Sequence, residues 1–191
     1  VSDPRREQWN QRHAEAPGLG EVALVLTRNA HLLPRRGRAL DLACGRGANA
    51  LWLAERGLTV HAWDFAASGI ERLRQAAAAR SLAVEAQVRD VLAAPPEAGR
   101  FDLILVSHFL ERALFPALAA ALRPGGRLFY QTFTREGAGE HGPSNPAFRL
   151  AANELLTLGS GLLIRYYRED GAADDGAGTQ GLAMLVGERR V

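Results

Sequence analysis

Residues 39–57, ALDLACGRGANALWLAERG, join a short apolar run to a glycine-rich turn and then to a helical pattern that stops at Gly57. This stretch constrains the fold more than any other. The apolar run reads as a buried strand, the turn turns backbone N–H groups outward, and the helix must fold back onto the sheet. The alternation continues downstream. Strand patterns occupy 38–43, 58–64, 82–88 and 101–106, and helical patterns occupy 48–56 and 67–80. FDLILV at 101–106 is almost continuously apolar, as expected of a parallel strand covered on both faces. Pro116 suits the first turn of a helix reaching 122, RPGG at 123–126 makes a turn, and 127–133 is a fifth strand.

Alternating strands and helices imply a parallel sheet with helices on both faces. The strand patterns at 161–169 and 181–188 have no helix between them, so they pair antiparallel at one edge. Short helices near 3–13 and 20–33 lie across the end of the sheet, and another short helix falls at 153–158. The expected fold is α/β: a Rossmann-like, doubly wound, seven-stranded and mostly parallel sheet with an antiparallel C-terminal edge hairpin. It forms a single domain, with an N-terminal helical cap at 1–35, a cofactor-binding core at 38–133, and a substrate loop, short helix and strand pair at 134–191.

Composition narrows the function classes. At 47% apolar residues the chain can bury a sizeable core. All 23 basic residues are Arg, yet the net charge is only +2, which argues against an electrostatic nucleic-acid footprint. A lone cysteine, Cys44, excludes an internal disulfide framework and a Cys-rich metal centre. No apolar run reaches the ~18 residues of a membrane span, and the first residues lack a signal-peptide core. The expected setting is cytoplasmic.

The glycine turn alone does not choose a ligand. Gly45, Gly47 and Ala50 satisfy the dinucleotide fingerprint in its G/A form, whereas the Gly-Lys-Ser/Thr of a phosphate-binding P-loop is missing. Asp41 decides. A carboxylate just before the turn would repel a pyrophosphate and suit a ligand carrying an amine. Asp64, 23 residues on, ends the second strand, where a carboxylate accepts both ribose hydroxyls. Asp90 follows the third strand, within reach of an adenine amino group. Three acids at three successive strand ends describe an adenosine ligand with an added amine and no phosphate, which is the chemistry of S-adenosyl-L-methionine.

With these residues in view, the chain resembles the class I S-adenosylmethionine-dependent methyltransferases. DLACGRG (41–47), VHAWD (60–64), VRDV (88–91), FDLILVSHFLER (101–112) and LRPGGRLFYQTF (122–133) carry the resemblance, in the family's order. The resemblance implies that Asp41 lies near the methionine amine, that Ala43, Gly45 and Gly47 allow close backbone approach to the ligand, and that Asp64 takes the ribose diol. It further implies Phe65 on the adenine, Asp90 and Val91 at the adenine edge, and Ser107 beside the methionine moiety. Any Cβ at the glycines is expected to crowd the ligand. Arg12 is a candidate for the cofactor carboxylate. The product would be S-adenosyl-L-homocysteine. The short chain and its N-terminal WNQRH are loosely similar to the small bacterial tellurite-resistance and thiopurine methyltransferases.

His108, directly after the fourth strand, is the candidate base. Trp9, Thr132, Arg135, His141, Asn145 and Arg149 are candidates for the acceptor pocket, and no metal is expected. His13 and His31 have no obvious partner, His61 reads as structural, and Cys44 reads as filler in the turn. The implied reaction is methyl transfer to a small-molecule acceptor by a monomer or homodimer, with a soft sulfur, selenium or tellurium nucleophile needing no base. Cys44 is no separate catalytic cysteine, and VSHF replaces the Asn/Asp-Pro-Pro-aromatic motif, so DNA is a poor substrate. Alternatives are an RNA or protein methyltransferase, a non-catalytic S-adenosylmethionine-binding regulator, and an NAD(P)-dependent oxidoreductase, which Asp41 opposes.

Overall fold

The computed structural model describes residues 3–137, 142–173, 176 and 178–190. Seven strands form one sheet in the order β3-β2-β1-β4-β5-β7-β6. In chain order they are β1 (Arg38–Leu42), β2 (Thr59–Asp64), β3 (Val84–Val88), β4 (Phe101–Ser107), β5 (Leu122–Phe133), β6 (Leu163–Glu169) and β7 (Leu182–Glu188). The first five pair in parallel, whereas β7 runs antiparallel to both β5 and β6. The helices are α1 (Pro4–Glu15), α2 (Leu24–Arg28), α3 (Ala48–Ala54), α4 (Ala67–Ala79), α5 (Phe115–Ala121) and α6 (Glu154–Leu158).

Side chains alternate between the faces of a strand, and this period of two divides the core. Ala39, Val60, Ala62, Leu103, Leu105 and Phe129 pack beneath Leu26 of α2, Leu51 and Leu53 of α3, and Ile70 and Leu73 of α4. Leu40, Leu42, Ile104, Val106, Leu128 and Tyr130 face the other way, onto Phe115 and Leu118 of α5 and Leu155 of α6. Asp41 and Asp64 project from the first of these faces by the same alternation.

Two local differences from the sequence reading have simple causes. The expected turn at 123–126 lies inside β5: Phe101 pairs with Leu122 and Leu103 with Arg127, so these residues bulge out opposite Asp102, helped by Gly125 at φ +77°. The expected helix over 20–33 is a short α2 followed by a 3₁₀ turn at Ala30–Leu32, because Asn29 folds its amide back onto the Val25 carbonyl at 3.0 Å.

Parallel β1 and β4 are central neighbours from which the chain winds outward in opposite directions. In an open α/β sheet that reversal leaves a crevice beyond the strands' carboxyl ends, and ligands bind there.

Candidate functional site

The loop after β1 is built from left-handed backbone. Ala43, Gly45 and Gly47 have φ of +56°, +55° and +89°. The first is an uncommon conformation for a residue with a side chain, and methyl-bearing Ala43 is the smallest that could adopt it. The protein neighbours of the two glycines supply a requirement of their own. A Cβ on Gly47 would overlap the Leu73 side chain of α4, and one on Gly45 would stand 3.2 Å from His13 Cε1. These glycines let the loop pack closely against α1 and α4.

Asp64 closes this arrangement. Its Oδ2 accepts the Gly45 N–H at 2.9 Å and its Oδ1 the Ala66 N–H at 2.8 Å, so one carboxylate joins the end of β2 to the glycine loop. A carboxylate offers about four acceptor positions, so each oxygen retains capacity for a ligand hydroxyl.

Asp41 is the anomaly of the molecule. It is 1% exposed, and neither carboxylate oxygen has a partner at full hydrogen-bond geometry among the described residues; the Ala50 N–H lies near without completing a bond. Burial, reinforced by the negative charge of Asp64, pushes its pKa up to about 8, opposed only weakly by the Ala50 N–H. A buried acceptor pair without completed bonds is destabilising and calls for a donor from elsewhere. An ammonium group fits: it brings several N–H donors and a charge that favours the ionised carboxylate. The site therefore fits a ligand with an amine beside Asp41 and hydroxyls beside Asp64.

Asp90 follows β3, and its Oδ1 accepts the Leu92 N–H at 2.9 Å and the Ala93 N–H at 3.3 Å, which caps the next turn. Phe65 is half-buried next to Asp64, and Val91 is buried next to Asp90. The thiol of Cys44 is buried, and burial, then the charges of Asp41 and Asp64, push its pKa well up, which keeps it protonated.

Helix α1 lies over this loop. Asn10 Oδ1 accepts the Ser68 N–H at 3.1 Å, Ser68 Oγ donates to the Asn10 carbonyl at 2.7 Å, and Arg72 Nη1 donates to the carbonyls of His13 and Ala16 at 2.7 Å each. Arg46 Nη1 holds the carbonyls of Pro17 and Gly18. The helix has no buried residue, so these polar bonds anchor it. At one end Arg5 feels the charge of Asp90; at the other the His13 ring rests on Gly45. Burial lowers the His13 pKa against the pull of Asp64. His13, without a partner in the sequence reading, thus borders the site. Its only signal was its place in WNQRH. Arg12 lies over the Trp9 ring at 5.0 Å from its centroid, and Trp9 is 38% exposed.

At the end of β4, Ser107 Oγ meets His108 Nδ1 at 3.2 Å. His108 adopts φ +55° and stacks on Phe133, with ring centroids 4.8 Å apart. The residue is exposed, and desolvation by the surrounding protein lowers its pKa. Gln131 Nε2 lies 3.3 Å from His108 Nε2. Nothing in the sequence marked Gln131.

Of the acceptor-side candidates, Thr132 lies within β5, and the described ones after it bond within their own segment. Thr132 is buried opposite Ala183 in the β5–β7 pairing. Arg135 Nε donates to the Pro146 carbonyl at 3.4 Å. Asn145 Oδ1 caps the 3₁₀ turn Pro146–Phe148 through the Ala147 N–H. Arg149 Nε and Nη1 donate to the carbonyls of Pro143 and Thr134 at 2.7 and 3.0 Å, and its guanidinium lies 5.5 Å from the Phe133 ring centroid. His141 lies outside the described residues. Among those described, no group of three His, Cys, Asp or Glu side chains could hold a metal ion, and no helix is long and apolar enough to cross a membrane.

Comparison with known proteins agrees with this geometry. Residues 39–126 match a family model described as a methyltransferase domain. The chain is 33% identical over 101 residues to a ubiquinone biosynthesis O-methyltransferase of Coxiella burnetii, covering 50% of this chain and 43% of that one. A Xanthomonas axonopodis protein of the same name is 34% identical over 117 residues, covering 58% and 48%. The matches thus span about half the length of the curated relatives. Among solved structures, TehB from Haemophilus influenzae superposes with a TM-score of 0.74 at 19% identity, covering 97% of this chain and 67% of that one. An S-adenosylmethionine-dependent methyltransferase from Aquifex aeolicus superposes with a TM-score of 0.71 at 14% identity, covering 99% and 100%. The ordered motifs between 38 and 133, the seven-stranded topology and the paired acids of the cleft agree with these likenesses: over residues 39–126 the chain matches a methyltransferase domain, and its fold is that of the S-adenosylmethionine-dependent methyltransferases it superposes on.

Proposed function

We propose that the chain binds S-adenosyl-L-methionine in the crevice beyond β1, β2 and β3 and transfers its methyl group to a small-molecule acceptor. The observation that carries this reading is Asp41, a buried carboxylate with no completed hydrogen bond to either oxygen, beside the glycine loop and Asp64. Asp41 would face the amine, and Asp64 the ribose hydroxyls while it holds the loop through Gly45. Phe65, Asp90 and Val91 would border the adenine, and Ala43, Gly45, Gly47 and Ser107 the methionine tail. Arg12 and His13 of α1 would cover the cleft. Trp9, Thr132, Arg135, His141, Asn145 and Arg149 remain candidates for shaping the acceptor side.

When bound, S-adenosylmethionine supplies a sulfonium methyl with an activated leaving group. The protein then has mainly to align the acceptor and exclude water, an effect that contributes up to roughly 7–11 kcal/mol in favourable systems. His108 would stand at the acceptor side. Its Nε2 already faces Gln131, which favours an acceptor that needs no proton removed, such as a thiolate, selenide or telluride. The named relatives favour an oxygen acceptor as the second reading.

Isothermal titration with S-adenosylmethionine and S-adenosylhomocysteine tests the binding. A panel of thiols, selenide, tellurite-derived species and phenols, followed by mass spectrometry for a gain of one methylene unit, tests the transfer. Heat with both ligands and a methylated acceptor are expected. Absence of heat with either ligand would reject the cofactor, and binding without transfer to any panel member would favour a regulatory role.

A further inference from the structure

Gln131, the β5 residue paired with Ser107 of β4, is 2% exposed and uses its main chain and side chain on the same neighbour. Its carbonyl accepts the His108 N–H at 2.8 Å, and its side-chain Nε2 approaches His108 Nε2 at 3.3 Å. The direction of the second bond follows from a third. The Val25 N–H of α2 can only donate, and it lies 2.9 Å from Gln131 Oε1. That atom must therefore be the amide oxygen, and the group facing His108 must be the NH₂. An NH₂ donates, so His108 Nε2 accepts. The imidazole then carries its proton on Nδ1, which lies 3.2 Å from the Ser107 hydroxyl. Both ring nitrogens are thereby used.

The backbone supports the same reading. His108 holds φ +55°, a conformation costing about 1 kcal/mol or more for a residue with a side chain, and such strain persists where surrounding structure fixes it. Here the fixing group is Gln131, on the main chain and on the ring, with the Phe133 ring stacked beneath at 4.8 Å.

We propose that Gln131 is a positioning residue of the acceptor side: it locks His108 as a neutral Nδ1–H imidazole whose Nε2 lone pair is taken up by the Gln131 amide rather than free for base catalysis, and links that ring to the N-terminus of α2. His108 is then a fixed planar wall and hydrogen-bonding group, and the proton bookkeeping of transfer falls to the acceptor itself. That the wall borders the methyl-transfer site rests on the function proposed above; the tautomer and its cause do not.

Two-bond ¹H–¹⁵N correlation of histidine-labelled protein distinguishes the protonated ring nitrogen from the bare one, and the His108→Gln variant assigns the signal by its loss. Wild type is expected to show a protonated Nδ1 and a bare Nε2 at His108. Gln131→Glu retains an acceptor for Val25 but places a carboxylate oxygen at Nε2, and it is expected to move a proton onto Nε2. A bare Nδ1 in wild type, or an unchanged tautomer in folded Gln131→Glu, would overturn the proposal. If Gln131→Glu fails to fold, the wild-type tautomer alone decides. Adding S-adenosylhomocysteine should shift the His108 signals. Binding without any shift would place the wall away from the cofactor and overturn that part of the proposal. No binding at all would reject the cofactor reading, while the tautomer would still judge Gln131.

Discussion

Replacing Asp41 with Asn probes the cleft without changing its shape. In the folded chain burial pushes the pKa of the acid up to about 8, against about 3.9 for an ordinary Asp. A raised folded pKa means that the group's contribution to stability is fully present below the unfolded value and is lost as pH rises through 8. At pH 7 the unfolded chain has released a proton that the folded chain still holds. At about 1.4 kcal/mol per pH unit, that difference is on the order of a few kcal/mol. Asp41→Asn removes it, so the ligand-free variant should be more stable than wild type by about 2–4 kcal/mol at pH 7 in urea unfolding, with the gap closing toward pH 4. Ligand binding should respond in the opposite sense. An ammonium beside Asp41 favours the carboxylate, so S-adenosylhomocysteine should displace most of a proton at pH 7. Titration calorimetry in two buffers of different ionisation enthalpy reads that number directly. Wild-type affinity should rise between pH 6 and pH 8. Asp41→Asn should lose the proton release and bind more weakly by about 1.5–3 kcal/mol, roughly tenfold to a hundredfold. Equal stability of the two proteins at pH 7, or unchanged proton release in the variant, would refute the reasoning.

Three further outcomes follow from the same geometry. Asp64→Ala should lower stability by about 1–3 kcal/mol in urea, because the Gly45 and Ala66 N–H groups lose their acceptor, and should weaken S-adenosylhomocysteine binding as well; unchanged affinity would remove Asp64 from the ribose site. Gly47→Ala should destabilise by about 1–3 kcal/mol through its +89° φ and its overlap with Leu73, and adding Leu73→Ala should not restore wild-type stability, since the backbone strain remains. Arg72→Ala should speed amide exchange across Pro4–Glu15 while leaving exchange in β1 and β4 nearly as in wild type, because α1 is tied down by polar bonds and buries no residue; a uniform rise across the sheet would contradict its independence.

Much of the frame was legible in the sequence because it depends on local pattern. Apolar runs at 38–43 and 101–106 had to be central, and adjacent strands at 161–169 and 181–188 had no crossover to make them parallel. Asp41 and Asp64 could be found because strand ends fix where their side chains emerge. What stayed hidden depends on contacts between segments distant in the chain. His13 meets Gly45 only because polar α1 folds onto α4, a docking no apolar stripe announces. Gln131 reaches His108 because of the β4–β5 register, which an irregular segment at 123–126 sets. The polar loop after β5 read as an acceptor pocket by composition alone. The structure shows Asn145 and Arg149 bonding to backbone within that segment, a use that polarity cannot distinguish from ligand binding.

The most direct test of the central claim is a crystal structure with S-adenosylhomocysteine. The ammonium should lie within hydrogen-bond distance of Asp41, directly or through one water, and the ribose diol on Asp64, with α1 across the cleft. A ligand seated elsewhere, such as the groove between Arg112, Phe115, Leu158 and Leu162, or one whose amine turns away from Asp41, would contradict the account.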